Sequence, residues 1–118
     1  MIKPILACKN PYYAAEKFHS AGWNIDFTQP VESGDPMVGI SLFDHQFLLG
    51  ITEGYVSSEA VSHIGCGVVF YVTVPKTEIE NVYQKHKAFV TSKLQMQSWG
   101  DLAFEAQIDS FKFMFATS

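Results

Sequence analysis

The sequence predicts an α+β fold in which two βαβββ modules form a curved, mostly antiparallel sheet of eight strands with the helices outside. A pattern of one strand, one helix and three strands occurs twice, the second copy beginning about 65 residues after the first. The 118 residues suit a single domain, and 47% apolar with 17% charged residues is a globular composition. Because one helix covers only one face of a module's sheet, two modules side by side leave a trough of strands. We expect one domain over 1–118, with module one at about 1–56, a linker at about 57–64 and module two at about 65–118.

The first module begins with a short apolar run, Ile2–Cys8, which predicts a strand. Asn10 followed by Pro11 is typical of a helix start, because Asn is a good N-cap and Pro is preset for the first helical turn. The helix then shows one apolar stripe and ends at Gly22. That stripe consists of Ala14, Phe18 and Ala21.

Three further strands complete the first module. Trp23–Phe27 alternates apolar and polar residues, and the segment 29–37, rich in Pro and acidic residues, predicts a loop. Val38–Phe43 and Phe47–Ile51 are expected as strands, joined tightly through Asp44, His45 and Gln46. Residues 53–63 are polar and serine-rich, which indicates a linker.

The second module opens with the strongest strand signal of the chain, Gly67–Val74. A helix follows Pro75, where Thr77 and Glu80 have the spacing of a capping box. Its expected inner face consists of Ile79, Val82, Tyr83 and His86. The last three strands are expected near Phe89–Met96, Leu102–Gln107 and Phe111–Ala116.

Composition and charge argue against several classes of binding partner. The net charge is −4 and there is no arginine, so we expect no nucleic-acid binding and no strongly anionic ligand. Cys8 and Cys66 do not make a disulfide framework, and no apolar run approaches the roughly 20 residues of a membrane helix. With no secretory leader pattern at the start, we expect no membrane partner and a cytoplasmic location.

Three motifs carry a family resemblance. They are the opening strand Lys3–Asn10, the helix end Phe18–Trp23, and Trp99-Gly100 with Phe104 five residues after the Trp. Together they resemble the glyoxalase/bleomycin-resistance protein/dioxygenase family of the vicinal oxygen chelate superfamily. The turn at Ile108–Ser110 is one residue shorter than the family pattern.

The resemblance implies a paired-module fold, usually a homodimer, with a pocket inside each sheet. Enzymatic members hold a divalent metal there through a histidine, a glutamate, a second histidine and a second glutamate. Here those positions fall on Lys3, Leu49-Gly50, Gly67 and Met114, which are not metal ligands. The chain is therefore closest to the metal-free, bleomycin-resistance-like branch, and we expect no metal and no cofactor.

These observations predict a small-molecule-binding protein that sequesters an organic, aromatic ligand, such as an antibiotic, in a dimer pocket, with no catalytic residue assigned. Strand alternation cannot decide which rings face the pocket and which face the helix. The expected ligand-binding residues are Phe43, Phe47, Phe70, Trp99, Phe104 and Phe113, with Lys3 and His45 as polar contacts.

Two alternatives stay open at this point. A metal-dependent lyase, isomerase or dioxygenase would need unusual ligands, for which His45, Glu53, His63 and Glu105 are the candidates. A regulatory or interaction module would use the fold without any ligand. The sequence also leaves open whether the modules pair within one chain or are exchanged between two chains.

Overall fold

The computed structural model describes residues 2–117, which form two helices and eight strands in the predicted βαβββ order, repeated once. The first copy comprises β1 (Ile5–Cys8), α1 (Pro11–Ser20), β2 (Asn24–Gln29), β3 (Met37–Leu42) and β4 (His45–Ile51). The second comprises β5 (Val69–Val74), α2 (Ile79–Lys85), β6 (Val90–Met96), β7 (Leu102–Ile108) and β8 (Phe111–Thr117). The predicted α+β class is confirmed.

The strands hydrogen-bond as two four-stranded sheets, β1-β4-β3-β2 and β5-β8-β7-β6. The pairs β1–β4 and β5–β8 are parallel, and the other neighbours in both sheets are antiparallel. The chain divides into two compact units, a first unit at 1–64 and a second unit at 65–118. Each unit contains one βαβββ copy and one sheet.

Helix α1 forms as the sequence predicts. The Asn10 side chain accepts hydrogen bonds from the backbone N–H groups of Tyr12 and Tyr13, both at 3.0 Å, and Pro11 occupies the first turn. The helix ends at Ser20, and Gly22 supplies the positive φ of 101° at which the chain turns into β2. Its buried face includes Ala14 and Phe18, as the stripe predicts.

Helix α2 is shorter, and its predicted capping box is wrong. The N-cap residue is Glu78, which has a helical backbone and makes no side-chain capping bond. Its N–H instead donates to the carbonyl of Pro75 at 2.8 Å, so a tight turn precedes the helix and Thr77 does not reach the N-cap position. The helix therefore begins at Ile79 without a cap.

Strand boundaries also differ from the predictions. Strand β1 begins at Ile5 rather than Ile2, and β2 extends to Gln29. His45 is the first residue of β4 instead of part of the connection, which leaves a turn at Phe43 and Asp44. Within residues 2–117 neither helix has the length and apolar character needed to cross a membrane.

Aromatic rings form the core of both units on the side of the helix. In the first unit Trp23 packs edge-on against Phe18 at 5.2 Å and against Phe47 at 5.7 Å between ring centroids. In the second unit Phe115 stacks on Phe104 at 5.0 Å and on Phe113 at 5.8 Å. All five phenylalanine and tryptophan rings with the smallest exposure belong to these two clusters.

The second core also contains a histidine. His86, which is fully buried, lies 4.5 Å from the Phe115 ring, and its Nδ1–H donates to the Val82 carbonyl at 2.8 Å. Burial lowers the pKa of His86 to about 4, against a smaller opposing effect of that hydrogen bond. His86 is therefore a neutral core residue near pH 7.

Candidate functional site

Each sheet has one face packed on its helix and one face turned away from it, here called the open face. In the second sheet the helix side is identified by His86, whose ring contacts Phe104 and Phe115. Because side chains alternate along a strand, the open face carries the residues between them. One row of that face runs across Tyr71, Met114 and Glu105, which are partners on β5, β8 and β7.

Four predicted pocket rings point to the helix side and pack in the cores, and two of them, Phe113 and Phe47, also line cavities of about 390 Å³ and about 130 Å³. Phe104 and Phe113 are fully buried, and Phe70 pairs with Phe113 on the same side. Phe47 packs on Trp23 in the core of the first unit. The physical reason is the two-residue period of a strand, since a reading shifted by one residue moves a side chain to the other face.

Phe43 and His45 lie at the turn between β3 and β4. Phe43 is 45% exposed with a φ of 53°, so its ring leaves the sheet at a backbone conformation unusual for a phenylalanine. The His45 Nε2 lies 3.7 Å from an oxygen of the exposed Asp44. A cavity of about 300 Å³ adjoins this turn, lined by His45 and Pro4 among others.

Lys3 lies on the open side of the first unit. It lines a small cavity of about 130 Å³ together with Asp26, Phe27 and Gln46. The Asp26 carboxylate accepts a hydrogen bond from the Ser41 hydroxyl at 2.9 Å. Phe27 lies against Gly39, where an added Cβ would overlap the ring, so this glycine makes room for the ring.

Trp99 is the predicted ring that the structure places on the open face with a defined set of partners. Its indole Nε1–H donates to the Tyr71 hydroxyl at 3.0 Å, and that hydroxyl donates to Asp101 Oδ2 at 2.8 Å. Trp99 is 55% exposed and Tyr71 is 48% exposed. The three residues, here called the aromatic platform, present two large rings that are oriented by hydrogen bonds and open to solvent.

Local structure explains how the platform is built. Tyr71 lies in the middle of β5, whereas Trp99 and Asp101 belong to the turn between β6 and β7. Gly100 has a φ of 99°, and its N–H donates to the Gln97 carbonyl at 3.0 Å, which closes that turn. The turn therefore holds Trp99 and Asp101 on the two sides of one glycine, both within reach of the same hydroxyl.

The platform also sets the acidity of Tyr71. The hydrogen bond from Trp99 lowers the pKa of its hydroxyl, but partial desolvation, the hydrogen bond to Asp101 and the negative charge of Asp101 outweigh it. Their sum raises the pKa of Tyr71 above its ordinary value. Near pH 7 the hydroxyl is therefore protonated, which keeps it able to donate to Asp101 while it accepts from Trp99.

Three exposed aromatic residues at or beside an open face are not among the residues predicted from the sequence. Tyr71, Phe27 and Tyr55 all lie at or beside an open face, and each is between 41% and 54% exposed. Tyr55 approaches the open side of Gly50, about 4.0 Å from where a Cβ would lie. The pairing of Tyr71 with Trp99 spans 28 residues of sequence, so no local pattern indicates it.

The donor set does not fit the metal centre that the family resemblance implies for enzymatic members. The open-face positions of the four strands that would supply ligands carry no histidine, cysteine, aspartate or glutamate. They are Ile5, Ala7, Gln46, Leu48, Gly50, Val69, Tyr71, Thr73, Lys112, Met114 and Ala116. Within residues 2–117 no three such ligands are grouped closely enough to hold an ion.

The unusual ligand set considered from the sequence is not grouped within either unit. His45 begins β4 and Glu53 follows its end, so roughly 20 Å of strand separates them. His63 lies in a 3₁₀ turn of the linker segment, and Glu105 belongs to the sheet of the second unit. The structure therefore offers no shared site for these four side chains within either unit.

Comparison with known proteins adds the fold class. No family model and no curated protein matches the sequence. Among solved structures, the hypothetical protein SA1046 from S. aureus shares 18% identity at a TM-score of 0.74, with 100% of this chain and 93% of that chain covered. A glyoxalase/bleomycin resistance protein/dioxygenase superfamily member from Sphaerobacter thermophilus shares 14% identity at 0.71, with 100% and 97% covered.

A bleomycin-binding protein solved in complex with bleomycin is similar as well, with 12% identity, a TM-score of 0.64, and 100% and 98% of the two chains covered. Identities this low establish the fold and not the ligand. They confirm the fold that the resemblance of the three sequence motifs implies.

Proposed function

We propose that this chain, which has the glyoxalase/bleomycin-resistance fold of the vicinal oxygen chelate superfamily, is a metal-free binding protein that sequesters a small aromatic compound. The observation that carries the proposal is the aromatic platform of Trp99, Tyr71 and Asp101 on the open face of the second sheet. The rings offer a flat, apolar surface, and a planar ligand would stack on it.

The hydrogen bonds of the platform favour binding. A free indole or phenol side chain loses rotational freedom when a ligand arrives, and that loss weakens affinity. Here the Trp99 and Tyr71 rings are already oriented, because one hydroxyl group joins both to Asp101. Holding two large rings in place while more than 45% of each is exposed supports a recognition role over a packing role.

Charge supports a neutral or cationic aromatic ligand. The chain has no arginine, the platform itself includes the carboxylate of Asp101, and Glu105 lies in the same row of the sheet as Tyr71. A cationic ring system would gain attraction both from these carboxylates and from the faces of the two aromatic rings. The bleomycin-binding neighbour makes bleomycin one reasonable probe among others.

The proposal includes a homodimer. Apolar side chains remain about half exposed on the open side of the first unit, among them Ile5 and Tyr55. Exposed apolar surface that is not scattered favours association with another molecule. Light scattering coupled to size exclusion would show twice the 13.2 kDa monomer mass if the dimer forms, and the monomer mass if it does not.

Thermal unfolding with chelator present tests the binding function. Bleomycin and a panel of aromatic amines are the probes, and a binder at about a hundredfold over its Kd should stabilise the fold by about 3 kcal/mol. Trp99→Ala should remove most of that stabilisation, whereas Tyr13→Ala, which removes an exposed ring from α1, should leave it intact. Undiminished stabilisation in Trp99→Ala would contradict the site, and stabilisation that needs added divalent metal would contradict metal-free binding.

A further inference from the structure

Two opposite charges on the open face of the second sheet do not meet each other. Glu105 on β7 pairs with Met114, and Lys112 on β8 pairs with Gln107, which makes Glu105 and Lys112 diagonal neighbours, roughly 7–8 Å apart. Within residues 2–117 neither side chain makes a hydrogen bond or an ion pair. A carboxylate and an ammonium are therefore held close together with their bonding capacity unused.

A cavity of about 390 Å³ lies against both charges. Its lining also includes Thr91 and Gln107, which add a hydroxyl and an amide. The apolar wall consists of Val69, Ala106 and the predicted pocket residue Phe113. The volume lies in the range of sites that hold small organic molecules. The cavity thus combines one negative group, one positive group, two neutral hydrogen-bonding groups and an apolar side.

Its position links it to the aromatic platform. Val69 and Tyr71 are successive open-face residues of β5, about 6.6 Å apart along the strand. Glu105 shares a row with Tyr71 across Met114. A molecule whose charged end lies in the cavity can therefore extend an apolar or aromatic end toward the ring of Tyr71.

From this placement we propose that the cavity binds the charged end of a small zwitterion, an amino-acid-like compound whose ammonium contacts Glu105 and whose carboxylate contacts Lys112. A ligand with one charge would leave either Glu105 or Lys112 without a partner, whereas a zwitterion satisfies both. The proposal rests on the proposed function in that the aromatic end of the same ligand lies on the platform.

Four probes that share a phenyl ring separate the two charges. L-phenylalanine carries both, 2-phenylethylamine carries the ammonium, 3-phenylpropionate carries the carboxylate, and 2-phenylethanol carries neither. Ligand-observed NMR at pH 7 with chelator gives each affinity. We expect L-phenylalanine to bind about tenfold more tightly than either singly charged probe, the effect of one charge-assisted hydrogen bond.

Two variants assign each charge to its partner. Glu105→Gln should weaken L-phenylalanine and 2-phenylethylamine about tenfold and leave 3-phenylpropionate unchanged. Lys112→Gln should weaken L-phenylalanine and 3-phenylpropionate and leave 2-phenylethylamine unchanged. Glu80→Gln and Lys85→Gln are matched controls, because both residues are exposed on α2 and so belong to the other side of the sheet. Neither control should alter any affinity.

The outcomes separate this proposal from the binding function. Equal affinity for all four probes, absence of L-phenylalanine binding, or no effect of Glu105→Gln and Lys112→Gln would overturn the zwitterion site. If Trp99→Ala still abolished stabilisation by bleomycin or an aromatic amine, the binding function would stand without it. The expected charge effects in a protein whose probe affinities do not respond to Trp99→Ala would support the zwitterion site and contradict the platform.

Discussion

The two units share one topology but use their aromatic residues differently on the open face. In the first unit Phe27 packs against Gly39 and Tyr55 approaches Gly50, so these rings contact the sheet at positions that have no side chain. In the second unit Tyr71 and Trp99 bond to each other and to Asp101. The shared topology leaves the same face of each sheet without a helix. The two units differ in whether the aromatic rings on that face pack on the sheet or are hydrogen-bonded to one another.

The helix-covered faces differ as well. The first unit packs Phe18, Trp23 and Phe47 under a capped helix of ten residues. The second packs stacked phenylalanines and the buried His86 under an uncapped helix of seven residues. We therefore expect the rings to stabilise the second unit more, and its helix to stabilise it less, than in the first unit. Three variants test this contrast, and a fourth tests the open face.

The largest effect should come from the stacked rings of the second core. Phe104→Ala removes a fully buried ring that contacts Tyr83, His86 and Phe115, so it should lower the free energy of unfolding by about 4 kcal/mol. Urea denaturation gives the value. Phe43→Ala, at the exposed turn of the first unit, is the matched control and should change stability by less than about 0.5 kcal/mol. A small loss for Phe104→Ala would show that this ring is not core.

Acid should weaken the second core next. The pKa of His86 is about 4 when folded and near 6.5 when unfolded, so the unfolded chain binds the extra proton as the pH falls from 6.5 to 4. Stability should be lost progressively through that window by roughly 3 kcal/mol and change no further from this group below it. Urea unfolding at successive pH values measures the slope.

His86→Phe removes the titrating group and should flatten that window, because the phenyl ring keeps the contacts with Phe104 and Phe115. His45 lies in the first unit with a side chain that is 29% exposed, and His45→Phe is the control because it removes a histidine outside the second core. An unchanged slope in His86→Phe would contradict the assignment of the acid response to the second core.

The helix caps should differ by a smaller amount. Asn10→Ala removes two hydrogen bonds at the start of α1 and should lower the free energy of unfolding by about 1 kcal/mol. Glu78→Ala at the start of α2 should have an effect close to zero, since its side chain caps nothing. Equal losses in urea denaturation would contradict the contrast between the two helices.

The smallest change in stability should come from Tyr71→Phe, although it removes the group that joins the platform. Without the hydroxyl, the Trp99 indole N–H loses its acceptor and should exchange faster with solvent, while the unfolding midpoint stays nearly the same. Two-dimensional ¹H–¹⁵N NMR follows the indole signal, and Tyr13→Phe on α1 is the control. A Trp99 signal unaffected by Tyr71→Phe would contradict the hydrogen bond between Trp99 and Tyr71 that defines the platform.

Residues near one another in sequence account for what could be predicted. Asn10 with Pro11 and the stripe of Ala14 and Phe18 indicate α1 correctly, and the β-branched run at Gly67–Val74 indicates β5. The predicted capping box at Thr77 is wrong because the Glu78 N–H donates to the Pro75 carbonyl, which places Thr77 inside a turn before the helix.

The site is harder to predict because it depends on which face of the sheet each side chain occupies and on contacts between residues far apart in sequence. Period-two alternation gives two equivalent choices for each strand, and only the structure shows that Phe47, Phe104 and Phe113 are buried on the helix side. The motif around Trp99 was visible, but its partner Tyr71 is 28 residues away. Pairings of that range follow from register, which a single sequence does not specify.

The two tryptophans of the chain provide the most direct test of the central claim. Trp23 is buried in the first unit, and Trp99 is exposed on the platform of the second, so their indole N–H signals report on a core and on an open face of the same protein. In a ¹H–¹⁵N titration with bleomycin and then with L-phenylalanine, we predict that the Trp99 signal shifts in a saturable way and the Trp23 signal does not. A saturable shift of Trp23 alone, or of neither signal with both probes, would contradict the account.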